Sequence, residues 1–202
     1  RFQNDQYTVA AEYKKEFSDE WKLELGESYS FWEFTDQRDG RSTNPTRHAR
    51  EDILHTRAVA VWSPVEAQSL ALGVEYEYGW FFDPPQADAL DRAPVITERR
   101  WESDLLSFFA EEQLKLGQMW TVFMSARADK HTYSEWLISP HGTLVFTPTK
   151  NDTFKFMGGN AARRAGDEEL YAEHYRKGTI PDPETLLSYE FGYDRKLGQN
   201  WH

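Results

Sequence analysis

The chain has 202 residues, no cysteine, a formal charge of −11 and a mean hydropathy of −0.77. The missing cysteines exclude disulfides, thiolate metal sites and cysteine nucleophiles. The acidic balance argues against a nucleic-acid partner, whose phosphates call for Lys and Arg, and no run approaches the roughly 18 apolar residues of a membrane-spanning helix.

Aromatic residues still make up 15% of the chain, and they alternate with polar ones rather than following a helical period. Strands are expected near 6–17 and 21–34, joined by Ser18-Asp19-Glu20. In the second, Trp21, Leu23 and Leu25 set an apolar face on which Glu27 then falls, while Trp32 and Phe34 fall on the other face. One extra residue flips every later side chain. A bulge near Gly26 would therefore turn Trp32 and Phe34 outward; strict alternation would leave Glu27 on the apolar face. A polar link over about 36–52 precedes a strand near 54–62, in which Leu54, Thr56, Ala58, Ala60 and Trp62 lie opposite His55 and Arg57. The connection SPVEAQ (Ser63–Gln68) leads to SLALGVEYEYGWFF, Ser69–Phe82, where Leu70, Leu72, Val74, Tyr76, Tyr78, Trp80 and Phe82 alternate without a break. At about 3.3 Å per residue this strand would run roughly 46 Å, well beyond the ordinary strand.

After a link over about 83–97, strands near 98–116 and 119–129 flank Gly117-Gln118. Trp120, Val122, Met124, Ala126 and Ala128 line one face of the latter; Thr121, Phe123, Ser125, Arg127 and Asp129 line the other. A link over 130–135 follows, then strands near 136–147 and 153–159 joined by Thr147–Asp152. A long link over 160–183 leads to a strand near 184–195, with Leu187, Tyr189, Phe191 and Tyr193 opposite Ser188, Glu190 and Gly192, and a tenth strand opens at Trp201. Both chain ends, at Arg1 and at Trp201-His202 after a turn-like KLGQN, read as cuts within a longer protein.

Short turns alternating with long links describe an antiparallel up-and-down meander, and that asymmetry is the signature of outer-membrane β-barrels. A β-sandwich would have shorter strands and less consistent asymmetry. Apolar faces opposite charged ones fit lipid outside and a wet lumen inside; a soluble barrel would invert them. Trp21, Trp62, Trp120 and Trp201 beside short turns, and Tyr76, Tyr78, Trp80 and Phe82 beside a long link, match two aromatic girdles at the membrane interfaces.

From about Leu105 onward the chain resembles the barrel of TonB-dependent outer-membrane receptors. FFAEEQLKLGQMWTVFMSARAD is similar to their strand, short turn and strand, with an acidic-amide cluster before the turn and an Arg-x-Asp exit. WLISPHGTLVFTPTKNDTFKFMGGN resembles their Ser-Pro-led strand, Pro-Thr-x-Asn/Asp turn and following strand. Arg164-Ala165 with Glu169-Leu170-Tyr171, and PDPETLLSYEFGYDRKL, follow in the family's order. The chain departs from the pattern at Gly166 (usually Pro), His141 (usually Arg) and Gly142-Thr143 (typically Leu-Gly). The resemblance implies an all-β antiparallel transmembrane barrel of 22 strands with a plugged lumen, of which residues 1–202 would supply about ten. It further implies an outer membrane of a Gram-negative bacterium and active uptake of a scarce ligand, most directly a ferric siderophore or similar metal chelate. The partners implied are the ligand, the protein's own plug domain, outer-membrane lipid and an inner-membrane TonB complex; plug and TonB box would precede Arg1. A passive porin or channel barrel is the alternative, and a soluble ligand-binding β-sandwich a third reading.

The richest candidate ligand surface is the link at about 161–183, with Arg163, Arg164, Glu169, Glu173, His174 and Tyr175. Arg and Tyr would grip an anionic chelate and Glu and His would touch a metal, though the carboxylates and His174 lack a metal-ligand spacing. The plainer reading of each residue is a solvated charged loop. His131 and Tyr133 fall at an expected rim, in what otherwise reads as a short polar loop. His55, Arg57, Glu75, Glu77, Arg127, Asp129 and Glu190 are expected to face the lumen, pairing across strands or meeting a plug. Lys155 reads the same way. No catalytic motif, resident metal site or cofactor motif is present, so the chain is not expected to be an enzyme.

Overall fold

A computed structural model of the chain describes residues 2–36, 47–83, 99–166 and 179–197. Nine strands occupy them: β1 (Phe2–Glu16), β2 (Trp21–Asp36), β3 (Arg47–Val65), β4 (Gln68–Asp83), β5 (Arg99–Leu116), β6 (Trp120–His131), β7 (Leu137–Phe146), β8 (Asp152–Arg163) and β9 (Glu184–Arg195). Each pairs antiparallel with its sequence neighbour, giving one sheet in the order β1 through β9, open between its first and last strands. This is the expected meander. The tenth strand, at Trp201, lies outside the described residues.

Several strands are longer than the alternation suggested. β3 starts at Arg47, so it takes over the end of the expected link, and it runs to Val65. Only Glu66 and Ala67 then turn the chain, because a register shift between Trp62 and Val65 lets Ser63–Val65 stay in the strand. Ser63 Oγ donates to Ser69 Oγ across this end (3.1 Å). At the next turn, Gly117 adopts φ 71°, a left-handed conformation that glycine reaches without a Cβ clash.

Residues opposite one another in an antiparallel ladder share a face, so the registers trace two faces across the sheet. One face carries Tyr13, Leu25, Ala58, Val74, Phe108 and Ala128 in one ladder-connected band. Its apolar side chains lie open, with Leu72 52% and Ile138 60% exposed. The other carries Glu24, Arg57, Glu75, Arg127 and Ser139. Arg164, just past β8, lies 3.8 Å from Glu77 on β4. The chain therefore folds back over the second face, which is the concave, inner one.

The phase of β2 is decided by its ladders. Neither β1–β2 nor β2–β3 shifts register at Gly26, so there is no bulge, Glu27 keeps the outer face, and Trp32 and Phe34 point inward. A change of polarity with height replaces the bulge. Low in the wall, the outer side is mainly apolar, with Lys15 and Glu112 among its residues, and the inner side charged. Higher up, the outer face carries Glu33, Arg50, Asp52, Glu102 and Asp104, while the inner face packs Ala49, Phe81 and Trp101, each 9% exposed or less, against Phe34, Tyr133 and Ala165. The upper wall thus packs apolar side chains inside, while outside its charged groups stand among the rings of Phe31, Trp80 and Phe82. The switch occurs where Tyr29 and Tyr76 on the outer face donate their hydroxyls to Asp52 and Asp104. Arg50 grips Asp52 through two nitrogens (2.7 and 2.9 Å) and lies 4.7 Å from the centre of the Phe31 ring.

The lower edge of the outer face is a second aromatic row. Trp21 stacks on Trp62 (ring centroids 5.9 Å), Trp120 on Phe146 (4.1 Å) and Phe154 on Tyr193 (4.8 Å). The two rows bound the apolar band where the sequence placed its girdles. β4 exceeds any band of that height because Gly79–Asp83 belong to the upper wall, where Phe81 packs inside and Trp80 and Phe82 stack outside.

Candidate functional site on the inner wall

Charged side chains on alternate residues of β3, β4 and β6 meet midway up the inner face. Glu75 lies between two arginines, 3.1 Å from Arg57 Nε and 2.7 Å from Arg127 Nη1. Arg127 also donates to Asp129 (2.8 Å) and to Ser107 Oγ (2.9 Å) on β5, which is fully buried beneath it. A pair of arginines therefore faces a pair of carboxylates, and the belt is neutral. Glu75 is only 17% exposed, so its charge depends on both partners. Glu75→Leu is expected to lower stability by about 1–3 kcal/mol, less than a fully buried pair would lose because both guanidinium groups reach solvent. A denaturant titration of the refolded protein measures this, and Glu75→Gln should recover part of the loss through hydrogen bonds.

Phe109 lies beside the belt with its ring over Gly73 of β4, so close that a Cβ there would come within 2.0 Å of it. Arg57 sits 5.4 Å from the centre of the same ring. An isolated Gly inside an alternating strand signals such a close approach. That signal was present in SLALGVEYEYGWFF, whereas Phe109 and Ser107 had no pattern to announce them.

Two depressions open on the inner face where side chains are small. One, of about 310 Å³, is lined by Ala10, Glu12, Glu24, Gly26, His55 and Arg57 among others. The other, of about 410 Å³, is lined by residues including Ala71, Glu111, Phe123, Ser125 and His141. Both are open grooves of the wall with charged and hydroxyl groups.

The structure brings Arg57, Glu75, Arg127 and Asp129 together, with Arg164 reaching Glu77 just above. His55 lies on the same face, opposite Glu77 in the ladder. Glu190 also faces inward but sits on β9, opposite Met157 and away from the belt. Lys155 pairs with Asp194 (2.9 Å), and Arg163 with Glu184 (3.2 Å) between β8 and β9. His131 is 2% exposed. Its Nδ1 accepts from the Tyr133 amide (3.2 Å), while Tyr133 stacks on Trp101 (4.2 Å) and donates its hydroxyl to the Glu102 carbonyl (2.9 Å). These two side chains pack the upper wall and cap the β5 edge where β6 has ended. Glu169, Glu173, His174 and Tyr175 lie outside the described residues. No group of three or more metal-ligating side chains occurs among the described residues.

The family model described as TonB dependent receptor-like, beta-barrel, matches residues 1–202. No curated protein matches the sequence. Among solved structures, the chain is similar to the ferric enterobactin receptor of Pseudomonas aeruginosa, with a TM-score of 0.71 and 16% identity over 84% of this chain and 27% of that one. It is similar to the copper transporter OprC, with a TM-score of 0.75 and 16% identity over 95% and 36%. A third is the ferric citrate transporter FecA, with a TM-score of 0.73 and 10% identity over 98% and 33%. The chain thus spans about a third of the length of these structures, and at such identities the likeness is one of fold.

Proposed function

Because this chain belongs to the TonB-dependent receptor β-barrel family, we propose that it forms part of the wall of an outer-membrane importer in a Gram-negative bacterium. Its cargo is a scarce ligand, most directly a ferric siderophore or similar metal chelate. The observation that carries the reading is the two-sided wall. An open apolar band between two aromatic rows suits lipid, and the face behind it holds fixed, mutually neutralised charges that suit a hydrated interior. The similar structures named above are receptors or transporters of ferric enterobactin, copper and ferric citrate, which supports uptake of a metal or its chelate.

In this reading the wall performs no covalent chemistry. Lipid holds the outer face, a plug domain occupies the lumen, and an inner-membrane TonB complex supplies energy through parts of the protein beyond these strands. The belt of Arg57, Glu75, Arg127 and Asp129 gives a plug or a passing anion paired charges to exchange with. The test is binding of full-length protein to a panel of ferric siderophores, haem and cobalamin. Saturable binding of a ferric siderophore is expected, together with impaired growth under iron limitation when the protein is lost. Absence of binding with unimpaired growth would remove the iron-chelate assignment.

A further inference from the structure

Three alanines leave a trough in the outer face. The ladders set Ala110 of β5 beside Ala126 of β6, and Ala128 follows on β6 between Phe108 and Ile138. Leu72 and Phe108 rise on one flank and Ile138 on the other, each about half exposed or more. The space they enclose is about 350 Å³. At its upper end the rings of Phe108 and Trp136 approach each other across β6 (centroids 6.3 Å).

The next outward residue of β6 is Lys130. It ends a ladder row that runs from Tyr76 through Leu106. Tyr76 belongs to the upper aromatic row, so the trough climbs from the apolar band to a lysine at the level where aromatic residues meet lipid head groups. The Lys130 ammonium donates to the Ser134 carbonyl (2.9 Å) and to Glu135 (3.4 Å). The Glu135 side chain is 96% exposed, so water screens most of that pair. On β5, the outward carboxylate of Asp104 already accepts the Tyr76 hydroxyl.

A second trough on the same face provides the contrast. It lies over β1 to β3, with Ala11 and Ala58 in its floor and Tyr13 and Leu25 as ridges, and it encloses about 370 Å³. Its size and apolar floor match the first. Its outward-facing charge is Glu27 rather than a lysine. Either trough fits a flexible hydrocarbon chain, and each methylene laid there leaves its neighbours less exposed. Only the trough below Lys130 offers a cation to the phosphate that such a chain carries in a lipid.

We propose that the trough over β5 and β6 is a seat for one anionic lipid of the outer leaflet, its acyl chain over Ala110, Ala126 and Ala128 and its phosphate at Lys130. Phe108 and Trp136 hold the chain where it joins the head group. The seat rests on the reading of the outer face as lipid-facing, and it adds a head-group preference that the trough over β1 to β3 lacks.

Full-length protein is reconstituted in phosphatidylcholine bilayers containing a trace of phosphatidylglycerol with a photoreactive diazirine on its acyl chain. A parallel sample carries diacylglycerol with the same chain and no phosphate. Crosslinked peptides are located by mass spectrometry, and the ratio of labelling by the two probes is taken at each trough. That ratio is expected to be at least about threefold higher at β5–β6 than at β1–β3, since one lysine at an anionic surface contributes roughly fivefold. Lys130→Glu should remove the difference. Ala126→Phe, which fills the trough, should lower labelling of β5–β6 by both probes. Equal ratios at the two troughs overturn the seat, as does a difference that survives K130E. If A126F does not assemble, K130E decides alone. A protein that fails to insert into bilayers overturns the membrane reading and the seat together, whereas an inserted barrel with equal ratios overturns the seat only.

Discussion

Arginine at Leu72 is expected to cost the folded barrel about 2–4 kcal/mol, whereas arginine at the adjacent Ala71 should cost less than about 1 kcal/mol. Leu72 belongs to the open apolar band, beside Ala60 and Ala110 in its ladders, with 52% of its surface exposed. A guanidinium there must displace lipid or bend toward an interface, since its two ladder partners, Ala60 and Ala110, carry no charge. Ala71 points the other way. It borders the 410 Å³ depression with Glu111, Ser125 and His141, so an arginine finds both room and a countercharge. The measurement is reversible unfolding by denaturant of the full-length receptor in bilayers, with both variants prepared alike. Equal costs at the two positions would mean that the assignment of outer and inner faces is wrong. In an aqueous sandwich, L72R would be nearly neutral, because an exposed leucine replaced by arginine loses little.

Valine at Gly73 is expected to be the other large effect, about 1–3 kcal/mol, by overpacking rather than by charge. The new Cβ would come within 2.0 Å of the Phe109 ring, and the ring cannot simply rotate away without releasing Arg57 from its face. Moving Phe109 thus disturbs Arg57, which pairs with Glu75. Phe109→Ala alone should cost stability through lost packing, yet G73V combined with F109A should be less harmful than the sum of the two. A double-mutant cycle reads that coupling. Strictly additive costs would show that the ring does not rest on Gly73.

The strands, their order and their two faces were legible in the amino-acid sequence. A period of two survives wherever the two faces meet different surroundings, so each of the nine strands announced itself. Glycine and polar clusters marked the turns between them. The inward direction of Arg57, Glu75, Arg127 and Asp129 followed from parity alone, once the apolar face was taken as outer. Gly73 also left a trace, as a residue with no side chain in the middle of a long strand.

Partnership was not legible. That Glu75 serves both Arg57 and Arg127 depends on register across the four strands β3 to β6, and a shift of one residue in any of them would have dissolved it. Register likewise settled β2. Glu27 on the outer face looked like an error that a bulge should repair, because the sequence carries no mark of the height at which the surroundings change. Only the tertiary structure shows that above Tyr29 and Tyr76 charged groups join Phe31, Trp80 and Phe82 on the outer face while the inner face is packed, so Trp32 and Phe34 need no correction. His131 and Tyr133 read as a polar rim and became part of the upper core, since burial depends on which staves stand taller nearby. The contacts of Arg164 with Glu77 and of Ala165 with the upper core are the extreme case, made four strands from where the chain leaves the sheet. Alternation is a local consequence of two-fold strand geometry and survives in the sequence. Contacts across a curved wall depend on its register and height, which no single segment encodes.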